Sequence, residues 1–362
     1  MKATARSDTE GLRLIHQEPT GQVRLVEFEQ RFFEVMNKHF GERFRRYRDD
    51  WNQTSKFAFR PDFPLSLDLE INTGCNLKCV MCVLGSEKSY RSPAPAARMD
   101  LSLYRNLMAQ ARQWGLPAMT FGYLSEPLLN PDLVRLISLA REAGVMDIRL
   151  GTNGQLLYPE ISRNLIQAGL TRLEVSLDAL RPETYRRIRR GGDLENVIQN
   201  ILDFLEARDR SSSDLPLLRL SFLRLPFNED ELAGFLDFWR DKADLFSIQE
   251  PIYFSEAPIA RELHLRPGPV NPDFFCAQPW QRLIVRANGD VFPCCSLFGL
   301  EMKAGSALKT GLDEIWRSPF LVSLSRMLQE GRYLENGPCA LCARQSSLQA
   351  VRTPKITVGV EA

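Results

Sequence analysis

The chain has 362 residues, 44% of them hydrophobic and 25% charged, enough for one large core and a smaller module. Its 46 basic and 45 acidic side chains leave a net charge of +1, which excludes a global field built for nucleic acid or for an anionic membrane surface. No apolar run approaches the ~20 residues of a membrane span, and Met1-Lys-Ala-Thr-Ala-Arg-Ser-Asp8 lacks an apolar signal core, so a cytoplasmic location is expected.

Residues 1–64 read as a helical extension with no strand-rich segment. Phe28, Phe32, Met36, Phe40 and Phe44 recur every fourth residue and form one apolar stripe, which predicts docking on the main domain. Arg43, Arg45, Arg46 and Arg48 follow; flanked by Glu42, Asp49 and Asp50, they read as a solvated face. From residue 65 to 252 strands alternate with helices. Leu65–Ile71 alternates apolar and polar residues, and further strands are expected at Met119–Gly122, Ile148–Gly151, Leu173–Leu177, Leu217–Leu223 and Leu245–Ile248. Helices are expected at Asp100–Trp114, Pro131–Ala143, Pro159–Ala168, Leu194–Arg208 and Asp230–Lys242, with Asp100 and Asp230 as N-caps and Gly144 and Gly169 at helix ends. Strands joined by helical crossovers imply a right-handed parallel sheet of the α/β class. Six units are too few to close an eight-stranded barrel, so an open (β/α)6 half-barrel follows, with its chemistry at the C-terminal strand ends.

All eight cysteines fall into two groups. In a reducing compartment they read as metal ligands rather than disulfides. Cys75-Asn-Leu-Lys-Cys79-Val-Met-Cys82 supplies three thiolates, whose softness suits three irons of a [4Fe-4S] cube and leaves the fourth iron open. The alternative is a zinc knuckle with a distant fourth ligand. The second group is Cys276, Cys294, Cys295, Cys339 and Cys342, spaced 18, 1, 44 and 3 residues apart, five candidates for four places. Cys339-Ala-Leu-Cys342 alone suits zinc, iron or a redox pair.

The CxxxCxxC loop resembles the signature of the radical SAM superfamily, in which the open iron is chelated by S-adenosylmethionine. Gly122-Tyr-Leu-Ser-Glu126-Pro127 resembles that family's Gly-Gly-Glu-Pro element, with Leu124 and Ser125 in place of the glycines. The resemblance implies that Glu126 receives the cofactor's amino group and that Asn153, in Thr152-Asn-Gly154, lies near the cofactor. It also implies that Ser176 and Asp178 approach the ribose and that Arg189 meets the carboxylate. Taken as residues alone, Asn-Gly is also a turn signal, and Ser or Asp at a strand end is also a helix cap.

Cys276-Ala-Gln-Pro-Trp280, Asn288-Gly-Asp-Val-Phe-Pro-Cys294-Cys295, Leu312-Asp-Glu-Ile-Trp316 and Pro338-Cys-Ala-Leu-Cys342 resemble the SPASM/twitch modules of the same superfamily. Within it, Cys276, Cys294, Cys339 and Cys342 take the ligand positions of an auxiliary [4Fe-4S] cluster and Cys295 is the spare. The spacing resembles that of enzymes of the 2-deoxy-scyllo-inosamine dehydrogenase type. Leu283–Arg286 and Val291–Cys294 form a hairpin about Asn288-Gly289, expected as a type I′ turn, and a helix is expected near Pro319–Leu328.

The domains expected are thus 1–64, a half-barrel at 65–252, a proline-rich linker at 253–275, the auxiliary module at 276–345 and a tail at 346–362. The function expected is oxidation of a sugar, aminocyclitol or related small molecule by a 5′-deoxyadenosyl radical, with an electron passing to the auxiliary cluster. A flavodoxin or ferredoxin is the expected reductant. The alternatives are an epimerase using Cys295 as hydrogen donor, a peptide-modifying enzyme, and an electron-relay protein without catalysis. Tyr253, Glu256 and His264 in the linker read as solvated loop residues.

Overall fold

The structure, a computed structural model, describes residues 14–17, 23–26, 29–85, 97–249 and 269–345. Phe28, most of the linker with Tyr253, Glu256 and His264, and the tail at 346–362 lie outside the described residues.

Six parallel strands form the body of the sheet: β3 (Ser66–Leu69), β4 (Ala118–Phe121), β5 (Asp147–Thr152), β6 (Arg172–Ser176), β7 (Leu217–Leu223) and β8 (Leu245–Gln249). They lie side by side in chain order within an open eleven-stranded sheet, as the half-barrel expectation requires. The intervening helices are α2 (Leu101–Trp114), α3 (Leu133–Glu142), α4 (Pro159–Gln167), α5 (Pro182–Ile188), α6 (Leu194–Arg210) and α7 (Leu232–Trp239). One face of each strand is apolar and packs on them: Leu67, Phe121, Ile148, Val175, Leu220 and Phe246 are at most 1% exposed. The alternate residues face the concave side and are largely polar.

The local signals act as expected in most places. Asp100 caps α2 by accepting from the N–H groups of Ser102 and Leu103, Pro159 opens α4, and Gly144 and Gly169 follow α3 and α4 with φ of 94° and 86°. Asp230 is not a cap. Helix α7 starts only at Leu232, while Asp230 pairs with Arg181 (2.9 Å) and the neighbouring Glu231 accepts from the N–H groups of Leu180 and Arg181. Those acids tie the start of α5 to the start of α7 instead.

Both sheet edges differ from the expectation. The N-terminal segment adds a short antiparallel hairpin, β1 (Leu14–Gln17) and β2 (Val23–Val26), and β2 pairs with β8. The segment is therefore helical only from α1 (Glu29–Thr54), which bends at Gly41. At the other edge the C-terminal module does not stand apart: β9 (Arg282–Val285) runs parallel to β3, and β10 (Asp290–Phe292) and β11 (Gly305–Ser306) follow antiparallel. The turn between β9 and β10 is not type I′, since only Gly289 has positive φ (80°) and Arg286 pairs with Asp290 around a three-residue loop. The rest of the module is α8 (Gln278–Gln281), α9 (Leu312–Trp316), α10 (Pro319–Gln329) and α11 (Gly337–Gln345). Trp316, fully buried, donates to the Pro61 carbonyl (2.8 Å) and locks the module to the barrel.

The stripe on α1 docks as expected. Phe32, Met36, Phe44 and Tyr47 pack on Leu65, Ala118, Met146, Leu217 and Leu245, all at or just before strand N-termini, so α1 closes the floor of the half-barrel. Phe44→Ala should cost about 3–5 kcal/mol; a thermal midpoint of the reconstituted protein equal to wild type would show that α1 is not needed as a floor.

Candidate active site

The concave face opens into a cavity of about 750 Å³ that runs from Cys75, Cys79 and Cys82 at the C-terminal strand ends to Tyr47, Arg48 and Trp51 of α1 at the floor. The cysteine loop is held by backbone: Lys78 donates to the Arg190 carbonyl and Val80 to that of Ile188 (both 2.9 Å), so the segment after α5 shapes it. It turns back so tightly that a Cβ on Gly85 would lie 2.1 Å from the Cys79 carbonyl oxygen. All three thiols are free. Burial pushes Cys79 up to about 12 despite Arg189, so such a thiol becomes a thiolate only when a cation compensates it.

Glu126, 2% exposed, accepts from Thr152 Oγ1 (2.7 Å), the Asn153 N–H (2.8 Å) and the Leu128 N–H (3.1 Å). A carboxylate has about four acceptor positions, so about one remains for a ligand. Its main visible work is to bind its turn to the end of β5. Asn153 donates to Asn76 Oδ1 (2.8 Å) and lies 3.9 Å from Cys75 Sγ, linking the same strand end to the cysteine loop. Arg189 lines the cavity 3.9 Å from Cys79 Sγ and pairs with Asp178 at 2.6 Å. Burial disfavours its charge, but Asp178 and Cys79 outweigh burial and hold its pKa above the usual value. Ser176 also lines the cavity. Asp178 does not: 1% exposed and with φ of 65°, it accepts from the Leu223 N–H (2.7 Å) and stands behind Arg189. Asp178 thus stands off the cavity lining, where the ribose contact was expected of it, and supports Arg189.

The second cysteine group lines a small, mostly apolar cavity. Cys276, Cys294, Cys295, Cys339 and Cys342 all face it. Gly299 stands where a Cβ would lie 2.5 Å from Cys294 Sγ, and Ser296 Oγ is 3.0 Å from Cys342 Sγ. The two cavities share one wall, made of Cys276, Gln278 and Cys295. Cys294 is 8% exposed and faces the small cavity alone, whereas the half-buried Cys295 donates to Gln278 Oε1 at 3.6 Å. Tyr123 is a cavity residue that the sequence reading passed over: its hydroxyl donates to the Ser296 carbonyl (3.4 Å), between the two cysteine groups. Its only signal was its place beside Gly122.

Three thiols at one end and a closed group around the small cavity are soft donors of the kind that iron–sulfur cubes take.

Comparison with known proteins agrees. Residues 69–221 match the Radical SAM superfamily and residues 276–343 match the SPASM iron–sulfur cluster-binding domain. The chain carries a Radical SAM domain and a SPASM iron–sulfur cluster-binding domain, which imply S-adenosylmethionine and two [4Fe-4S] clusters as its cofactors. It is similar to a probable GTP 3′,8-cyclase of Methanocaldococcus jannaschii, 29% identical over 211 residues, 55% of this chain and 65% of that one. The chain thus spans less than two thirds of that relative's length. In structure it resembles BtrN in complex with AdoMet and 2-DOIA (TM-score 0.50, 20% identity, 76% of this chain and 91% of BtrN). It also resembles Streptococcus suis SuiB bound to S-adenosylmethionine (TM-score 0.58, 17% identity, 78% of this chain and 72% of SuiB). These likenesses show the fold.

Anaerobically reconstituted protein should hold about eight irons and eight sulfides, and replacing Cys75, Cys79 and Cys82 together by Ala should leave about four; iron and sulfide analysis decides. Glu126→Ala should weaken S-adenosylmethionine binding about tenfold, the loss of one charge-assisted bond, with iron content unchanged. Wild-type affinity in calorimetry would show that neither the remaining acceptor nor the tie to β5 serves the cofactor.

Proposed function

We propose that this protein is an oxidoreductase that removes hydrogen from a C–H bond of a small molecule, of the sugar or aminocyclitol kind, held in the large cavity. The observation that carries this reading is the wall shared by the two cavities, which sets a substrate beside a closed group of thiols. When bound, S-adenosylmethionine and the two clusters supply a 5′-deoxyadenosyl radical and a one-electron acceptor.

The chain's own residues have three tasks. Cys75, Cys79 and Cys82 hold the first cluster, while Glu126, Asn153, Ser176 and Arg189 orient the cofactor, Asp178 bracing Arg189. Cys276, Cys294, Cys339 and Cys342 hold the second, and four thiolates leave it no open position for substrate. Floor helix α1 and the wall exclude water from the cavity between them. The net change proposed for the substrate is loss of a hydrogen atom, a proton and an electron. A flavodoxin or ferredoxin is the proposed reductant. Among the described residues no helix is long and apolar enough to cross a membrane.

One observation favours a second reading. Cys295 faces both cavities and its S–H is weak enough to return hydrogen to a substrate radical, as an epimerase requires. The two readings separate cleanly. The reduced protein should form 5′-deoxyadenosine, and its absence would sink both. In an oxidoreductase Cys295→Ala should still release the oxidised product; a redox-neutral product carrying solvent deuterium in the wild type, lost in the mutant, would establish the epimerase instead.

A further inference from the structure

The cysteine loop is bordered on both flanks by exposed cations that take no part in the cavity. On one flank Asn72 and Arg98 form an antiparallel bridge, and Thr73 donates its N–H to the Ala97 carbonyl (3.0 Å) while its Oγ1 accepts from the Ala97 N–H (2.9 Å). On the other flank the Lys78 N–H reaches the Arg190 carbonyl. Cys75 and Asn76, both exposed, lie between these two anchor points. Lys78, Arg98, Arg186 and Arg190 are exposed and outside the cavity lining, and among the described residues none of the four is in an ion pair. Arg187 is engaged differently, its guanidinium 3.8 Å from the centre of the Phe227 ring.

Acids are missing from this rim. Residues 72–85, 97–99 and 184–192 contain none. Of the described acids that border these segments, Glu70 is paired with Arg286 and Asp100 and Asp193 cap α2 and α6, which leaves Glu183 beside four cations. The whole chain has a net charge of only +1, so the excess is local to the rim. This separates it from Arg43–Arg48, where Glu42, Asp49 and Asp50 stand alongside. The rim is also firmly mounted, because Val80 and Val83 of the loop pack with Ile188 of α5 and with Leu223 and Leu225.

A cluster held by Cys75, Cys79 and Cys82 must receive one electron each time S-adenosylmethionine is cleaved reductively. Electron transfer falls steeply with distance, and α1 and the sheet edges close the other sides, so a carrier has to approach the loop from outside. We propose that Lys78, Arg98, Arg186 and Arg190 form the docking face for an acidic one-electron carrier protein, which meets the turn at Cys75 and Asn76. The carrier is oxidised by one electron and the cluster on the loop is reduced by one; no bond is made or broken in this step. The inference rests on the reading of the chain as a reductively activated enzyme and adds where its reductant binds and with what charge.

The test mixes reconstituted protein rapidly with reduced flavodoxin, and in parallel with reduced ferredoxin, and follows the paramagnetic resonance signal of the cluster that responds to S-adenosylmethionine. The wild-type rate should fall steeply as ionic strength rises. Arg98→Glu combined with Arg186→Glu, one from each flank, should slow reduction about tenfold at low salt and converge with wild type at high salt. Arg45→Glu combined with Arg46→Glu makes the same change of net charge on exposed positions of α1 at the floor, and should stay near wild type. Photoreduction by a small deazaflavin should be equal in all three proteins, with iron content unchanged. A wild-type rate independent of salt with both carriers, or equal slowing in the two double variants, would overturn the proposal. So would slower photoreduction of the Arg98 and Arg186 variant, which would show that these arginines serve the loop rather than a partner. Formation of 5′-deoxyadenosine by photoreduced protein is read separately; if it persists while neither carrier distinguishes the variants, only this inference falls.

Discussion

The concave face of an open parallel sheet is polar here, and the rest of the architecture answers that fact. In a closed eight-stranded barrel the inward residues fill the middle as a packed core. Six strands leave a trough instead, and the trough contains serines, arginines and acids whose burial is tolerable only because they pair or face a cavity. Such a sheet needs covering on every open side. Helix α1 seals the floor by an apolar stripe, a hairpin extends the β8 edge, and β9 extends the β3 edge. Edge extension also removes unpaired strand groups that would otherwise invite association.

The cofactor end depends on a chain of second-hand supports rather than on single contacts. The backbone of the cysteine loop hangs on residues 188 and 190, Arg189 between them is braced by Asp178, and Asp178 in turn fixes the end of β7 through the Leu223 N–H. On the opposite side Asn72 donates to the carbonyls of Gly74 and Glu126 (3.2 and 3.1 Å), while Glu126 reaches over to β5. The loop is thereby clamped from both flanks before any metal binds. Such preorganisation is what holds reacting groups within a fraction of an ångström.

The strands were legible because their outward residues are apolar and regular, and α1 because its stripe repeats every fourth residue. Capping chemistry identified Asp100 but misled at Asp230, where an acid beside Arg181 found a charged partner instead of a helix end. The hairpin β1–β2 and helix α5 are short and have weak local patterns, so nothing in the sequence distinguished them from loop. Pairing of β9 with β3 joins segments on opposite sides of the barrel sequence, a long-range event that local pattern does not encode. The cysteine groups were legible by spacing alone, whereas the roles of Asp178 and Arg48 depended on the backbone turn of one and the inward face of the other. Arg48, read among four arginines as solvated, instead lies over the rings of Phe33, Tyr47 and Trp51 and lines the cavity.

The polar trough was written in the sequence as Asp147-Ile-Arg149, Arg172-Leu-Glu174 and Leu217-Leu-Arg219, each a polar residue two places from another position of the same strand face. Alternation by itself says only that one face is wet. Which face is wet, and whether water or a ligand wets it, follows from the closure of the other sides: α1 below, the SPASM wall beside, and the cysteine loop above leave the trough open to a molecule of limited size.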